Sequence, residues 1–377
     1  MKAYLDNAAT TPMAKEVIDA MVEVMTGTFG NPSSTHSFGR DAKSIIENAR
    51  RTIGKHIHAE PKEIIFTSGG TEADNMAIVC AVRDLGVKHI ISSPIEHHAV
   101  EHSLDNVKEN LACEISHVNL DEKGNVDLNH LENLLSNSKE KVLVSLMHAN
   151  NEIGTLLPLK EVAELCRKYN AYFHSDTVQT LSHYPINLEE LNIDFITCAA
   201  HKFHGPKGVG FLYKNKNIPM KPLIEGGAQE RGMRGGTENI SGIVGLTKAI
   251  ELANTDIDSH IKSVQALKSY MIRELDTKIG GVDIIGEADS DKSLYTVLNV
   301  FFPKFSKQDM LLFMLDLEGV ACSGGSACTA GANSGSHVLK GINADETRQN
   351  VRFSFSRYTT KDEIDFTIEK LIKIIKS

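Results

Sequence analysis

Four short segments carry residues suited to chemistry. In Ala199-Ala200-His201-Lys202-Phe203-His204-Gly205-Pro206-Lys207-Gly208, a lysine follows the apolar run 194–198 and precedes a Gly/Pro turn. A lysine that leaves a strand edge into a cleft is partly desolvated, which lowers its pKa and makes the amine a nucleophile toward carbonyl groups. Such an amine suits an enzyme that holds the aldehyde of pyridoxal phosphate as a Schiff base; a solvated surface lysine beside a turn is the plainer alternative. In Phe66-Thr67-Ser68-Gly69-Gly70-Thr71-Glu72-Ala73-Asp74-Asn75, an apolar run ends in Ser-Gly-Gly-Thr and opens into a helix. The free backbone N–H groups of a helix start, with the Thr71 hydroxyl, suit a phosphate. A simple N-cap at Thr71 is the other reading. The spacing matches neither Gly-x-x-x-x-Gly-Lys-Ser/Thr nor Gly-x-Gly-x-x-Gly, which weakens a nucleotide reading.

In Tyr172-Phe173-His174-Ser175-Asp176-Thr177-Val178-Gln179, a carboxylate arrives at the end of a strand-like run, where α/β sheets place their ligands. A buried aspartate facing a pyridine nitrogen keeps that nitrogen protonated, and Gln179 is within reach of the ring's phenolic oxygen. Capping of the next helix by Asp176 is the alternative. The last segment, 321–336, is a run of glycine, serine and alanine that holds Cys322 and Cys328. Small residues in such density read as a mobile surface loop, and a cysteine on it as a reactive thiol.

Composition limits the readings further. With 377 residues, 41% of them hydrophobic, the chain can bury a large core and is expected to form two domains. Its net charge of −9 comes with both signs interspersed and no Lys/Arg block, which argues against nucleic acid or an anionic membrane as the main partner. The first residues lack an apolar secretion core, and no run approaches membrane-spanning length, so a cytoplasmic location is expected. Of six cysteines, Cys80, Cys113, Cys166 and Cys198 sit in apolar patterns and read as reduced, buried thiols. The sixteen histidines are many for this length, yet no metal site is expected from their placing.

The elements that must position these residues alternate from about residue 60 to 215. Strands are expected at 63–67, 89–92, 114–118, 142–148, 171–175, 195–198 and 209–213, with helices at 71–85, 97–110, 128–136 and 159–169. Such alternation predicts a mostly parallel sheet covered by helices on both faces. A further helix is expected at 41–53. Near residue 255 the pattern shifts to a long helix (256–278), strands at 282–285, 294–301, 320–322 and 351–355, and helices at 307–317 and 361–375. The expected domains are 13–254, the larger, and 1–12 with 255–377, a smaller α+β unit carrying the cysteine loop.

Further motifs join these: Tyr4-Leu5-Asp6-Asn7-Ala8-Ala9-Thr10-Thr11, Gly30-Asn31-Pro32-Ser33-Ser34-Thr35-His36, Glu96-His97-His98-Ala99-Val100 and His148-Ala149-Asn150-Asn151-Glu152-Ile153-Gly154. Later come Arg234-Gly235-Gly236-Thr237-Glu238-Asn239, Gly325-Ser326-Ala327-Cys328-Thr329 and Val351-Arg352-Phe353-Ser354-Phe355-Ser356-Arg357. In their order and spacing the chain resembles the cysteine desulfurases of the NifS/IscS type. These belong to the class V aminotransferase branch of the fold-type I pyridoxal phosphate enzymes. The resemblance covers nearly the whole chain. It implies a large, mostly parallel, seven-stranded-type sheet domain plus a smaller α+β domain.

It also implies roles. Lys202 would be the Schiff-base lysine and Asp176 the partner of the ring nitrogen, with Gln179 and Asn151 beside the phenolic oxygen. His97 would stack on the ring and shuttle protons. Gly70, Thr71 and His201 would hold the phosphate, helped by Thr237 from the other subunit of a homodimer. Arg352 would clamp the substrate carboxylate, with Arg357 its rival and Asn7 a second substrate contact. Cys328 would take sulfur from L-cysteine, leaving L-alanine, and pass its persulfide to an acceptor protein such as an iron–sulfur scaffold or a thiolation carrier. Two positions depart from the family pattern. Ala199 stands where a serine usually bonds the phosphate, a loss of about 1 kcal/mol if nothing replaces it. Cys322 replaces a small or aliphatic residue and reads as a buried thiol at a strand end, with a disulfide to Cys328 or a sulfur relay as the alternatives. The same fold would also serve a selenocysteine lyase or an aminotransferase, and a non-catalytic iron–sulfur assembly scaffold is a reading of another class.

Overall fold

The computed structural model describes residues 1–288, 291–306, 308–324, 335–345 and 347–376. The chain opens with a short strand, β1 (Ala3–Tyr4), and the helices α1 (Lys15–Gly27) and α2 (Ser37–Ile57). The alternating segment follows as β2 (Ile64–Thr67), α3 (Gly70–Leu85), β3 (His89–Ser92), α4 (His98–Leu111), β4 (Glu114–His117), α5 (Leu128–Asn137) and β5 (Val142–Ser145). It continues through α6 (Leu159–Lys168), β6 (Tyr172–Asp176), the single turn α7 (Leu188–Leu191), β7 (Phe195–Ala199) and β8 (Gly210–Lys214). Helices α8 (Ile240–Thr255) and α9 (Ile257–Lys278) meet at Asp256. The rest comprises β9 (Asp283–Ile285), β10 (Val297–Phe301), α10 (Leu311–Leu317), β11 (Val320–Ala321), α11 (His337–Gly341), β12 (Asn350–Ser354) and α12 (Lys361–Ile375).

Seven strands form the main sheet in the order β2-β8-β7-β6-β5-β3-β4, parallel except for β8. Strands β3, β5, β6 and β7 are buried almost throughout, as parallel strands covered on both faces must be. One face packs on α2, α5, α6 and α8, the other on α3 and α4. Because β2 and β7 are both antiparallel to β8, they run the same way. The start of α3, after β2, therefore lies at the same sheet edge as the ends of β6 and β7. A second sheet, β12-β10-β9, is antiparallel and packs with α9, α12 and the parallel pair β1–β11 around its own core. Between the two cores, Ile95 and Ile153 meet Ile285, Phe301, Val338, Leu339 and Ile342.

The expected α/β architecture and its alternation are present, and most element ends differ by one to three residues. Helices α1, α7, α8 and α11 and strand β1 are additions the periodicity does not announce. Helix α1 carries apolar residues on its buried side at Val17 and on its exposed side at Ile18, Val22 and Met25, so no single stripe marks it. Helix α8 is interrupted by Gly242 and Gly245. A Cβ at Gly245 would lie 2.7 Å from Met21 Sδ and 2.9 Å from Pro206 Cγ, so the glycine permits the close packing of α1 on α8.

Candidate functional site

A cavity of about 270 Å³ opens at the edge where β6, β7 and the start of α3 converge. Among its lining residues are Gly70, Thr71, His97, Asn151, Asp176, Gln179, His201, Lys202 and Arg352. Most of the residues singled out in the sequence thus share one cleft. Lys202 sits on a 3-10 turn directly after β7, and its Nζ donates to the carbonyls of Ala8 at 2.6 Å and Ala9 at 2.8 Å. Phe203 caps that turn, and His204 after it has a positive φ of 69°.

Asp176 ends β6 with its carboxyl buried, and Oδ1 accepts the Val178 N–H at 2.8 Å. It caps a local turn and no helix, since the next helix starts only at Leu188, and it faces the cavity as well. Burial, then the neighbouring Asp74, pushes its pKa up to about 7. Asp74 is equally buried and also raised to about 7 by burial, with one oxygen 3.4 Å from His174 Nε2. Gln179 Nε2 donates to Ala8 O at 3.1 Å, which ties the amino-terminal segment over the site.

His97 is the N-cap of α4: its Nδ1 accepts the Ala99 N–H at 3.1 Å, so that nitrogen carries no proton. Burial, then Lys202, lowers its pKa to about 4, and the ring is neutral at pH 7. His201, likewise lowered to about 4 by burial and Lys202, contacts Thr10 Oγ1 through Nδ1 at 3.2 Å. Gly70 begins α3, where a Cβ would approach Val178 Cγ2 to 2.8 Å. Ala199, at the end of β7, also lines the cavity and offers no hydroxyl.

Arg352 reaches the cavity from β12 of the smaller sheet. It is buried, with Nη1 donating to Asn151 O at 2.8 Å and Nη2 to Asp6 Oδ1 at 3.1 Å, while its Nε has no partner. Arg357, its rival in the sequence reading, does not line the cavity. Neither does Asn7, whose Nδ2 is spent on Ser354 O at 2.8 Å. Thr237 lies exposed in a separate cavity with Ser68, Gly208 and Arg234. Cys328 lies outside the described residues. Cys322, beside β11, packs against the smaller core, and burial pushes its thiol up to about 12.

Four ionisable cavity residues were not given roles in the sequence analysis: Asp74, His98, Glu152 and His337. Asp74 had a signal, since it follows Thr71 by three residues on the helix that starts at the phosphate-like turn. His98 had one in its spacing to Glu101 and His102 along α4. His337, from far along the chain, had none.

The class-V aminotransferase family model matches residues 3–366. Curated relatives include a protein named cysteine desulfurase IscS from Dictyoglomus turgidum, 45% identical over all of this chain and 95% of its own length. Another, named putative cysteine desulfurase IscS 1, from Bacillus subtilis, is 41% identical over 100% of this chain and 99% of its own. Among solved structures, one titled NIFS-like protein superposes with a TM-score of 0.92 at 34% identity, covering both chains completely. A NifS-like protein from Rickettsia africae gives 0.88 at 32% identity, also over both whole chains.

Proposed function

The chain belongs to the class-V aminotransferase family, and from that premise we propose that it is a pyridoxal phosphate-dependent cysteine desulfurase. The observation that carries this reading is the meeting of Lys202, Asp176, His97 and the start of α3 in one cavity. The donor set fits the cofactor. An amine is present for its aldehyde, backbone N–H groups of a helix start for its phosphate, and a buried carboxyl for its ring nitrogen. Asp176 is held near 7 by burial, so a protonated ring nitrogen opposite it would supply the missing positive partner and keep it ionised.

When bound, the cofactor supplies an electron sink conjugated to the substrate's α-carbon. Lys202 anchors it and then removes the α-proton at Nζ. His97, neutral and fixed by its cap to Ala99, presents a ring face for stacking and a nitrogen for proton movement. Gly70, Thr71 and His201 hold the phosphate, with Thr237 from a second subunit. Asn151 and Gln179 flank the ring oxygen. Arg352 binds the substrate carboxylate, for which its unpartnered Nε is a ready donor. Asn7 supports that corner through the backbone of β12. The Cys328 thiolate attacks the substrate sulfur; the S–S bond forms as the C–S bond breaks, and L-alanine leaves after protonation at its β-carbon and return of a proton to its α-carbon. The persulfide then passes to an acceptor protein, an iron–sulfur scaffold or thiolation carrier.

Two further features belong to this reading. The five described cysteines are free thiols, which supports a reducing, cytoplasmic setting. Ile18, Val22 and Met25 of α1, with Phe29 and Phe38, leave an exposed apolar face that supports a homodimer. No described helix is long and apolar enough to cross a membrane.

The test is alanine and sulfide release from L-cysteine, followed together with the cofactor's absorbance. Lys202→Ala should lose the bound-cofactor band and slow alanine formation by about 10³-fold or more. Cys328→Ala should keep the band and lose the protein persulfide. Sulfur release at the wild-type rate in Cys328→Ala would overturn the assignment of that cysteine.

A further inference from the structure

One cluster at the cavity wall takes no part in the roles assigned above. His98 opens α4, Glu101 follows one turn later, and His337 opens α11 from the far end of the chain. Residues three apart on a helix share a face, so His98 and Glu101 point the same way. Among the described residues, these three offer one ligand atom each, all within 4.8 Å of one another. His98 Nδ1 is 2.8 Å from Glu101 Oε2, His337 Nε2 is 3.4 Å from the same oxygen, and the two imidazole centroids are 4.4 Å apart.

We propose that His98, Glu101 and His337 form a binding site for one Zn²⁺ ion. Two imidazoles and a carboxylate are a ligand set that zinc accepts with a fourth position left open. Zinc bonds of about 2.0–2.1 Å place tetrahedral donors roughly 3.3 Å apart, so side-chain rotation alone brings these atoms to bonding positions. Two further observations favour a cation over a plain ion pair. His98 Nε2 is buried without a hydrogen-bond partner, so one of the ring's two nitrogens is left unsatisfied in the metal-free arrangement. The backbone under His337 is also held: Ser336 caps α11 by accepting the Leu339 N–H at 3.2 Å and donates to Glu152 Oε2 at 2.5 Å. His337 Nε2 meanwhile contacts Glu96 O at 2.8 Å, a contact that zinc must displace or reorient. His98 and His337 both line the cavity that holds Lys202 and Asp176, so the open position faces that cavity. The site stands on its own geometry and does not depend on which reaction the cavity performs.

Co²⁺ is the probe, because its absorption in a tetrahedral site reports ligand number directly. The cofactor-loaded Cys328→Ser protein removes the loop thiol as a competing ligand. It should bind one equivalent of Co²⁺, displaced by Zn²⁺. Glu101→Gln and His337→Asn in that background should weaken Co²⁺ at least tenfold, with circular dichroism and cofactor absorbance unchanged. Absence of stoichiometric Co²⁺ absorption, or affinity equal to the parent's in both variants, would overturn the site.

Discussion

Asp176 and Asp74 are two buried carboxyls that line the cavity, and each stays protonated further up the pH scale than a free aspartate. A folded-state pKa above the unfolded value favours folding fully below the unfolded pKa, and that advantage disappears as pH rises through the folded one. In cofactor-free protein, the Asp176 contribution is therefore present near pH 4 and gone above about 7. The melting temperature of the cofactor-free wild type should fall more steeply across that range than that of Asp176→Asn; parallel curves would refute the argument. With cofactor the same variant loses a charge-assisted hydrogen bond, and affinity should drop about 10- to 100-fold by equilibrium titration. At this scale the chemistry-bearing types were readable: lysine after a strand, aspartate at a strand end, glycine before a helix. Asn7 shows the limit, because its amide is committed to Ser354, a partner 347 positions away that no local pattern reveals.

Helix α3 illustrates how an element sets a site. Its first turn abuts the 177–180 turn so closely that a Cβ on Gly70 would meet Val178 Cγ2 at 2.8 Å. Gly70→Ala should push the helix start off that turn, costing about 1–3 kcal/mol of stability in urea unfolding and weakening cofactor retention. Val178→Ala added to it should restore most of both; no recovery would mean the glycine serves another purpose. The alternation of strands and helices from β2 to β8 was legible because each element buries one stripe or one full run. Helices α1 and α8 were not, since one exposes apolar residues and the other trades side chains for close approach.

The exposed apolar face of α1, extended by Phe29 with its ring tilted against Phe38 at a centroid distance of 5.0 Å, is a property of the assembled molecule. If it joins two subunits, Val22→Glu with Phe29→Glu should convert a dimer to a monomer in sedimentation. Cofactor should then dissociate faster, for want of the second subunit's Thr237. A wild type already monomeric, or a variant still dimeric, would refute this. By itself the sequence determined the α/β class, the family resemblance and which residue types could hold a pyridine ring and its phosphate. Those follow from local periodicity and from motifs whose spacing is fixed along the chain. Only the tertiary structure decided that Arg352, and not Arg357, lines the cavity, and that Asp74 lies buried against Asp176's surroundings. It alone drew His337 to His98 and Glu101. Such contacts join elements hundreds of residues apart, and what selects them is the burial of two separate cores against one shared edge.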